Sequence, residues 1–189
     1  RAHIASLLAE RGETGQVLGI ALDGTGYGDD RTVWGGEFFM GDLGGLERAG
    51  HLLPIFLPGG DLAAREPWRM ALSLLLAIPG AGLKAERLAS RFGRKGEQVL
   101  ECIAARRGGI MTTSCGRLFD GVAALLGLGD LNQFEGELPM RLQAEAEKAR
   151  PGSRTYPFAI EKNDGMAILN MLPAVEAMLA DKANRAEKA

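Results

Sequence analysis

Two apolar runs rich in β-branched and aromatic residues, "QVLGIAL" at 16–22 and "TVWGGEFF" at 32–39, flank the polar stretch "DGTGYGDDR". Apolar runs of this length bounded by turn residues form buried strands, and the short separation makes the two antiparallel partners. The chain must therefore build a sheet around this pair. The stretch between them carries three glycines (Gly24, Gly26, Gly28) and three aspartates (Asp23, Asp29, Asp30). Two uses fit it: a plain hairpin loop, with Asp29 and Asp30 as a solvated turn, or a concavity of backbone N–H groups that holds an anion, with Thr25 adding a hydroxyl. It is neither a GxxxxGK[ST] phosphate loop nor a GxGxxG strand-to-helix turn.

Most of the remaining pattern is helical. The chain opens with Ile4, Leu7 and Leu8 at helical spacing and no capping residue ahead of them, as if cut through an element, so a fragment is expected. Residues 46–68, with Pro54, Pro58 and the Gly59-Gly60-Asp61 turn, read as a long irregular connection. Pro67 then suits the first turn of a helix through "WRMALSLLLA", which Pro79-Gly80 ends. Short helices follow near Leu83–Arg91 and Glu97–Ala105. Another starts at Thr113/Ser114, turns Leu118, Val122, Leu125 and Leu126 to one side, and stops at Gly127 or Gly129. "LPMRLQAEAEKA" is a polar-faced helix, "YPFAIE" a strand, and "LPAVEAMLADKANRAEKA" a final helix running into a charged tail. Strand pair, helical block, strand and helix make the class mixed α/β.

Composition narrows the function. At 189 residues the chain fits one domain or a large piece of one, long enough to bury roughly two thirds of its unfolded surface. The 22 Lys and Arg against 24 Asp and Glu leave a charge of -2 and no clustered basic face, so no nucleic-acid partner is expected. Cys102 and Cys115 stand thirteen positions apart without a CxxC, which supports neither a zinc knuckle nor a disulfide framework. No apolar run approaches the ~20 residues of a spanning helix, and the start lacks a signal-peptide layout, so the expectation is a soluble cytoplasmic protein with no membrane partner. The scattered methionines read as core filler.

On the helix from Thr113, Gly116, Asp120, Ala123, Ala124 and Gly127 share one face. That face either lets another helix pack closely, with Asp120 merely solvated, or lets a flat ligand approach while Asp120 accepts hydrogen bonds from hydroxyls. His3 has no local histidine partner; it is a surface or capping residue, or one ligand of a metal whose other histidine lies outside the chain. Cys115, near a helix start, is a candidate nucleophile without an identifiable base.

The segments "AHIASLLAE", "ALDGTGYGDDRTVWGGEFF", "LPGGDLAAREPWRMAL", "TTSCGRLFDGVAALLGL" and "FEGELPMRLQAEAE" together resemble the hydrogenase maturation carbamoyltransferase family, HypF, in the family's order from Ala2 to about Asp181. The resemblance implies an enzyme that uses carbamoyl phosphate and ATP to make a carbamoyl adenylate and passes the carbamoyl group to the C-terminal cysteine of the maturation protein HypE, for the cyanide ligands of [NiFe]-hydrogenase. It also implies a fold: part of a two-lobed, actin-like ATPase, similar to the TsaD-type threonylcarbamoyl transferases. Residues 1–189 would then be a fragment of the C-terminal transferase domain, with the acylphosphatase-like, zinc-finger and adenylate-forming domains and a late "SGG" segment outside it, and inactive alone.

Carried over residue by residue, the resemblance makes His3 the last histidine of an HHAHIAS motif and Asp23 its companion on a divalent metal of unspecified identity. Gly24, Thr25 and Gly26 correspond to a phosphate-facing loop, although DGTG departs from the SGGHT of the related transferases. Asp120 corresponds to the aspartate that holds the ribose, and Gly136 lies near a second glycine contact to the nucleotide, so ATP and Mg²⁺ are the implied cofactors. Cys115 stands where relatives often carry methionine, as a packing variant. Two alternatives share the fold: a threonylcarbamoyl transferase acting on tRNA, which the missing basic patch and "GGDLAAREPWRMAL" disfavour, and a non-catalytic domain that docks a partner.

Overall fold

The computed structural model describes residues 1–149 and 155–181. In chain order the elements are α1 (Ala2–Arg11), β1 (Val17–Tyr27), β2 (Val33–Asp42), β3 (Gly45–Leu52), β4 (Ile55–Pro58), α2 (Asp61–Arg65), α3 (Trp68–Ala77), α4 (Gly82–Ser90), α5 (Arg94–Ala104), β5 (Gly109–Thr112), α6 (Cys115–Leu125), α7 (Glu137–Ala146), β6 (Ala159–Asn163), β7 (Met166–Asn170) and α8 (Leu172–Ala180). The mixed α/β class is as expected. The strands form one sheet in the order β4-β5-β2-β3-β7-β6, with β1 also paired to β2.

The central pair is antiparallel, and its turn, with Asp29 and Asp30 in it as expected, uses only the end of the polar stretch. β1 runs on through "DGTGY", and the reversal occurs at Gly28–Thr32, where Gly28 N–H donates to Thr32 O at 3.0 Å and Arg31 takes φ 64°. Asp30 Oδ1 fixes this turn by accepting from Thr32 N–H at 3.0 Å and from the Trp34 indole at 2.9 Å. The glycine stretch is instead a bulge inside the ladder. Pairing stops at Leu22 with Gly36 and resumes at Gly26 with Trp34, so β1 advances four residues while β2 advances two. Gly35 is what lets the strands close around it, since a Cβ there would sit 2.6 Å from Asp23 O.

The expected irregular connection over 46–68 is also corrected: it holds β3, β4 and the single-turn helix α2. Its two prolines are compatible with strands because Pro54 falls between β3 and β4, and Pro58 ends β4 at the sheet's edge, where a missing N–H costs no ladder bond. Two further strands, β5 and β7, lie in segments that carried no strand signal. β5 is four residues long and survives by pairing antiparallel with β4 and touching β2 once, at Val33 and Thr112. β7 pairs parallel with β3 and antiparallel with β6. The charged tail after Asp181 lies outside the described residues.

The core gathers around α3, buried nearly all round from Trp68 to Leu75. Trp68 stacks on Phe92 with centroids 4.1 Å apart, and Leu72 and Leu75 pack with Ala85, Ala89 and Val99 of α4 and α5. On the α6 side, Ala71, Ala123, Ala124, Leu138 and Leu142 form a second cluster. A third, Ile4, Leu8, Trp34 and Phe39, seats α1 on β1 and β2.

Candidate functional site

The β1 bulge and the start of α6 are built against each other. Ser114 is the N-cap of α6: its hydroxyl accepts from Arg117 N–H at 3.0 Å and donates to Gly24 O at 2.7 Å. One serine thus satisfies an orphan helix donor and a bulge carbonyl together. The approach is close enough that a Cβ on Gly116 would lie 2.9 Å from Gly24 Cα. The small-residue face of α6 is therefore a packing face, which Ala123 and Ala124 continue into the core.

Asp120 sits in the middle of that face, and the expectation that it is merely solvated fails: it is 0% exposed. Its Oδ1 accepts from Asn132 Nδ2 at 2.9 Å. The orientation of that amide follows from its other end, because Asn132 Oδ1 accepts from Leu138 N–H at 2.9 Å and so Nδ2 must face Asp120 and Ala64 O. Arg117 Nη2 lies 2.9 Å from Asp120 Oδ2, an ion pair, yet neither Oδ2 nor Arg117 Nε makes a hydrogen bond. Burial pushes the Asp120 carboxyl above the usual carboxylate range, opposed by the Arg117 charge and the Asn132 hydrogen bond.

Arg117 also lines a cleft of about 600 Å³, together with Thr25, Asp61, Arg65, Asn132 and Gly136. Gly136 is the N-cap of α7, at φ 77°, a left-handed conformation that favours glycine. Asn132 couples this helix to α6 by bonding Leu138 and Asp120 at once. Thr25, Gly136 and, through Arg117, Asp120 are thus brought to one place.

Gly26 is not brought to that place. It lines a second cleft of about 340 Å³ with Arg1, His3, Asp23, Trp34 and Glu37. The expected phosphate loop is split across the two clefts because the bulge breaks the two-residue alternation, so that Asp23 and Gly26 line one cleft and Thr25 the other. Gly24 lies between, its backbone beside the Arg117 guanidinium: a Cβ there would lie 3.8 Å from Nη2.

In the second cleft His3 Nδ1 stands 3.9 Å from Asp23 Oδ2, with side chains 80% and 42% exposed. Asp23 Oδ1 is turned away, accepting from Gly24 N–H at 2.6 Å. One imidazole nitrogen and one carboxylate oxygen at this separation can share a divalent ion with bonds of about 2.0–2.2 Å. Among the described residues no group of three or more His, Cys, Asp or Glu side chains completes such a site. His3 and Asp23 are thus the two ligand-type side chains that meet in this cleft.

Glu37 is a buried acid under the site that sequence reasoning missed. It lies 3% exposed at the floor of the second cleft, accepting from Thr113 Oγ1 and from the N–H groups of Gly35 at 3.2 Å and Gly36 at 3.3 Å, while Arg48 Nε donates to Oε2 at 2.6 Å. Arg48 in turn covers the Trp34 ring at 3.9 Å. Arg117 was missed too, although its i, i+3 spacing to Asp120 was visible. Asn132, twelve residues from Asp120, gives no local signal. Cys115 is buried, and burial raises its thiol above the ordinary value, the opposite of an activated nucleophile.

Residues 19–189 match the family described as "Carbamoyltransferase, Kae1-like Domain, second subdomain". Carbamoyltransferase HypF2 of Cupriavidus necator is 39% identical over 207 residues, covering 95% of this chain and 25% of that protein. Carbamoyltransferase HypF of Rhodobacter capsulatus is 43% identical over 159 residues, covering 79% and 20%. The crystal structure of a full-length HypF in its phosphate- and nucleotide-bound form superposes with a TM-score of 0.88 at 31% identity, over 99% of this chain and 29% of that one. HypF of T. kodakarensis gives 0.83 at 29% identity, over 99% and 25%. The chain spans about a quarter of the length of the C. necator relative. With the family match covering most of its residues, and relatives near 40% identity, this chain belongs to the HypF carbamoyltransferase family.

Proposed function

We propose that this chain is the nucleotide- and metal-binding part of a carbamoyltransferase that uses carbamoyl phosphate and ATP to carbamoylate the C-terminal cysteine of HypE, for cyanide ligand synthesis in [NiFe]-hydrogenase maturation. It would work as one piece of a longer transferase whose other domains activate the carbamoyl group. The observation that carries the proposal is the convergence of Thr25, Arg117, Asn132 and Gly136 on one cleft with Asp120 directly beneath, in a chain of this family.

Each residue has a role that its geometry supports. The Thr25 hydroxyl supplies a neutral donor to phosphate oxygens, Arg117 supplies the cation, and Asp120 accepts from ribose hydroxyls. Gly136 leaves the rim of the cleft without a side chain. His3 and Asp23 hold a divalent ion, with remaining ligands from outside this chain or from phosphate. Such an ion, with Mg²⁺ on the ATP, would neutralise phosphate charge and polarise a phosphoryl oxygen. The protein's own part is positioning and fixed dipoles.

Calorimetric titration of ATP and ADP into this chain, with and without Mg²⁺, beside Asp120→Ala, tests the assignment. Saturable binding that the substitution abolishes is expected. Binding indifferent to Asp120 would remove the ribose role, and carbamoyl transfer to HypE by a longer protein carrying this segment, followed by mass spectrometry, tests the reaction itself.

A further inference from the structure

Asp120 is beneath the cleft but not part of its lining, with two cleft-lining side chains on it: Asn132 on Oδ1 and Arg117 on Oδ2. Arg117 lines the cleft, whereas Asp120 is fully buried behind it. Oδ2 is the oxygen without a hydrogen bond, and for it to accept one from a ligand the guanidinium must move. Building on the nucleotide assignment above, we propose that Arg117 is an anion-operated latch: its guanidinium pairs either with Asp120 or with the phosphate of a nucleotide, and the second pairing frees the carboxylate for the ribose hydroxyls.

Three features of the pair favour exchange over permanence. Its bonding is incomplete, since Asp120 Oδ2 and Arg117 Nε are both buried without a hydrogen bond although Nη2 is 2.9 Å from Oδ2. Giving up a misaligned contact costs less than giving up an aligned one, and an Arg–phosphate pair offers two parallel donors to one group. The second feature is that both ends of the pair stay anchored when the guanidinium leaves. Arg117 N–H remains on Ser114 Oγ, and Asp120 Oδ1 remains on Asn132. The third is the short path, because Nη2 already lies beside the Gly24 backbone, next to Thr25 at the cleft wall.

The consequence is a coupling between two halves of one ligand. An anion that draws Arg117 away makes the hydroxyl acceptor available, so phosphate and nucleoside should help each other bind, and a nucleotide should be preferred over its nucleoside beyond simple charge attraction.

Adenosine, ATP and inorganic phosphate are the probes, titrated calorimetrically into the 189-residue wild-type chain and into Arg117→Gln and Arg117→Lys, each checked for folding by circular dichroism. Saturating phosphate should tighten adenosine binding to the wild type about 5- to 50-fold, within the usual range of allosteric coupling. In Arg117→Gln, ATP should weaken about 10- to 100-fold, as expected for loss of a charge-assisted hydrogen bond, while adenosine binds as well as to wild type or better and phosphate no longer helps it. Arg117→Lys should recover part of the preference for ATP. If ATP binds the wild type but phosphate leaves adenosine unaffected, the latch is wrong; that arm needs no variant to fold. Equal weakening of ATP and adenosine in Arg117→Gln would also overturn it, by showing a structural role. If ATP does not bind the wild type, the nucleotide assignment fails and the latch goes with it.

Discussion

Two buried carboxylates lie close to α6, Glu37 beside its entrance and Asp120 within it, and they are held in opposite ways. Glu37 has both oxygens engaged, by the Thr113 hydroxyl, two backbone N–H groups and an aligned Arg48. Asp120 has one oxygen bonded to Asn132 and the other in a misaligned contact with Arg117. Burying a charge is tolerable when its lone pairs are filled, so the Glu37 cluster is a finished structural joint that fastens β2 to β3 and to the entrance of α6. A buried carboxylate left partly unfilled costs stability in the folded protein, and that cost falls at the place where a ligand hydroxyl could complete it. The degree of satisfaction, more than burial, separates a structural acid from a binding one.

The sharpest way to break this comparison is to remove each acid in turn. Glu37→Ala should destabilise the chain by about 3–5 kcal/mol in denaturant unfolding, because it strands Arg48 and Thr113 in a buried setting. Asp120→Asn should cost only about 1–2 kcal/mol, since Asn132 keeps an acceptor and Arg117 can turn into the cleft. Equal losses would mean that Asp120 is as structural as Glu37.

The same substitution carries a pH signature. With its folded pKa raised, Asp120 binds its proton more tightly in the folded state than in the unfolded one. Its stabilising contribution is therefore complete below the unfolded value near 3.8 and disappears as pH rises through the folded value. Across that window the wild type should lose stability relative to Asp120→Asn; parallel curves would contradict the burial cost. Ser114→Ala, which uncaps α6 and frees the Gly24 carbonyl, should cost about 1 kcal/mol and weaken phosphate binding at the bulge. His3→Ala should be the smallest in stability, within about 0.5 kcal/mol. It should still abolish Zn²⁺- or Mn²⁺-dependent shifts in melting temperature if the exposed His3–Asp23 pair is a half site.

Much of the fold is legible along the chain. Local periodicity places α3, α4, α5, α6 and α7 to within a few residues, since each helix carries its own apolar stripe and a Pro, Gly or Ser boundary. The β1–β2 pairing is legible for the same reason. β5 and β7 are not, because a strand of four or five residues is defined by its neighbours: β5 exists only where β4 and β2 meet it, and β7 only beside β3 and β6. The glycine stretch misleads as a turn because a bulge and a hairpin loop use the same residues, and only the register of β2 distinguishes them.

For the site, the sequence by itself determined which chemical groups are available: a threonine among glycines, an aspartate on a small-residue helix face, a histidine near the start, and a family pattern joining them. Only the tertiary structure decided which of these share a cleft. It separated Gly26 from Thr25, buried Asp120, put Arg117 over it and brought in Asn132 and Glu37. The physical reason is that satisfying a buried charge needs partners from distant segments, and their arrival is fixed by how sheet and helices pack, which no local spacing records.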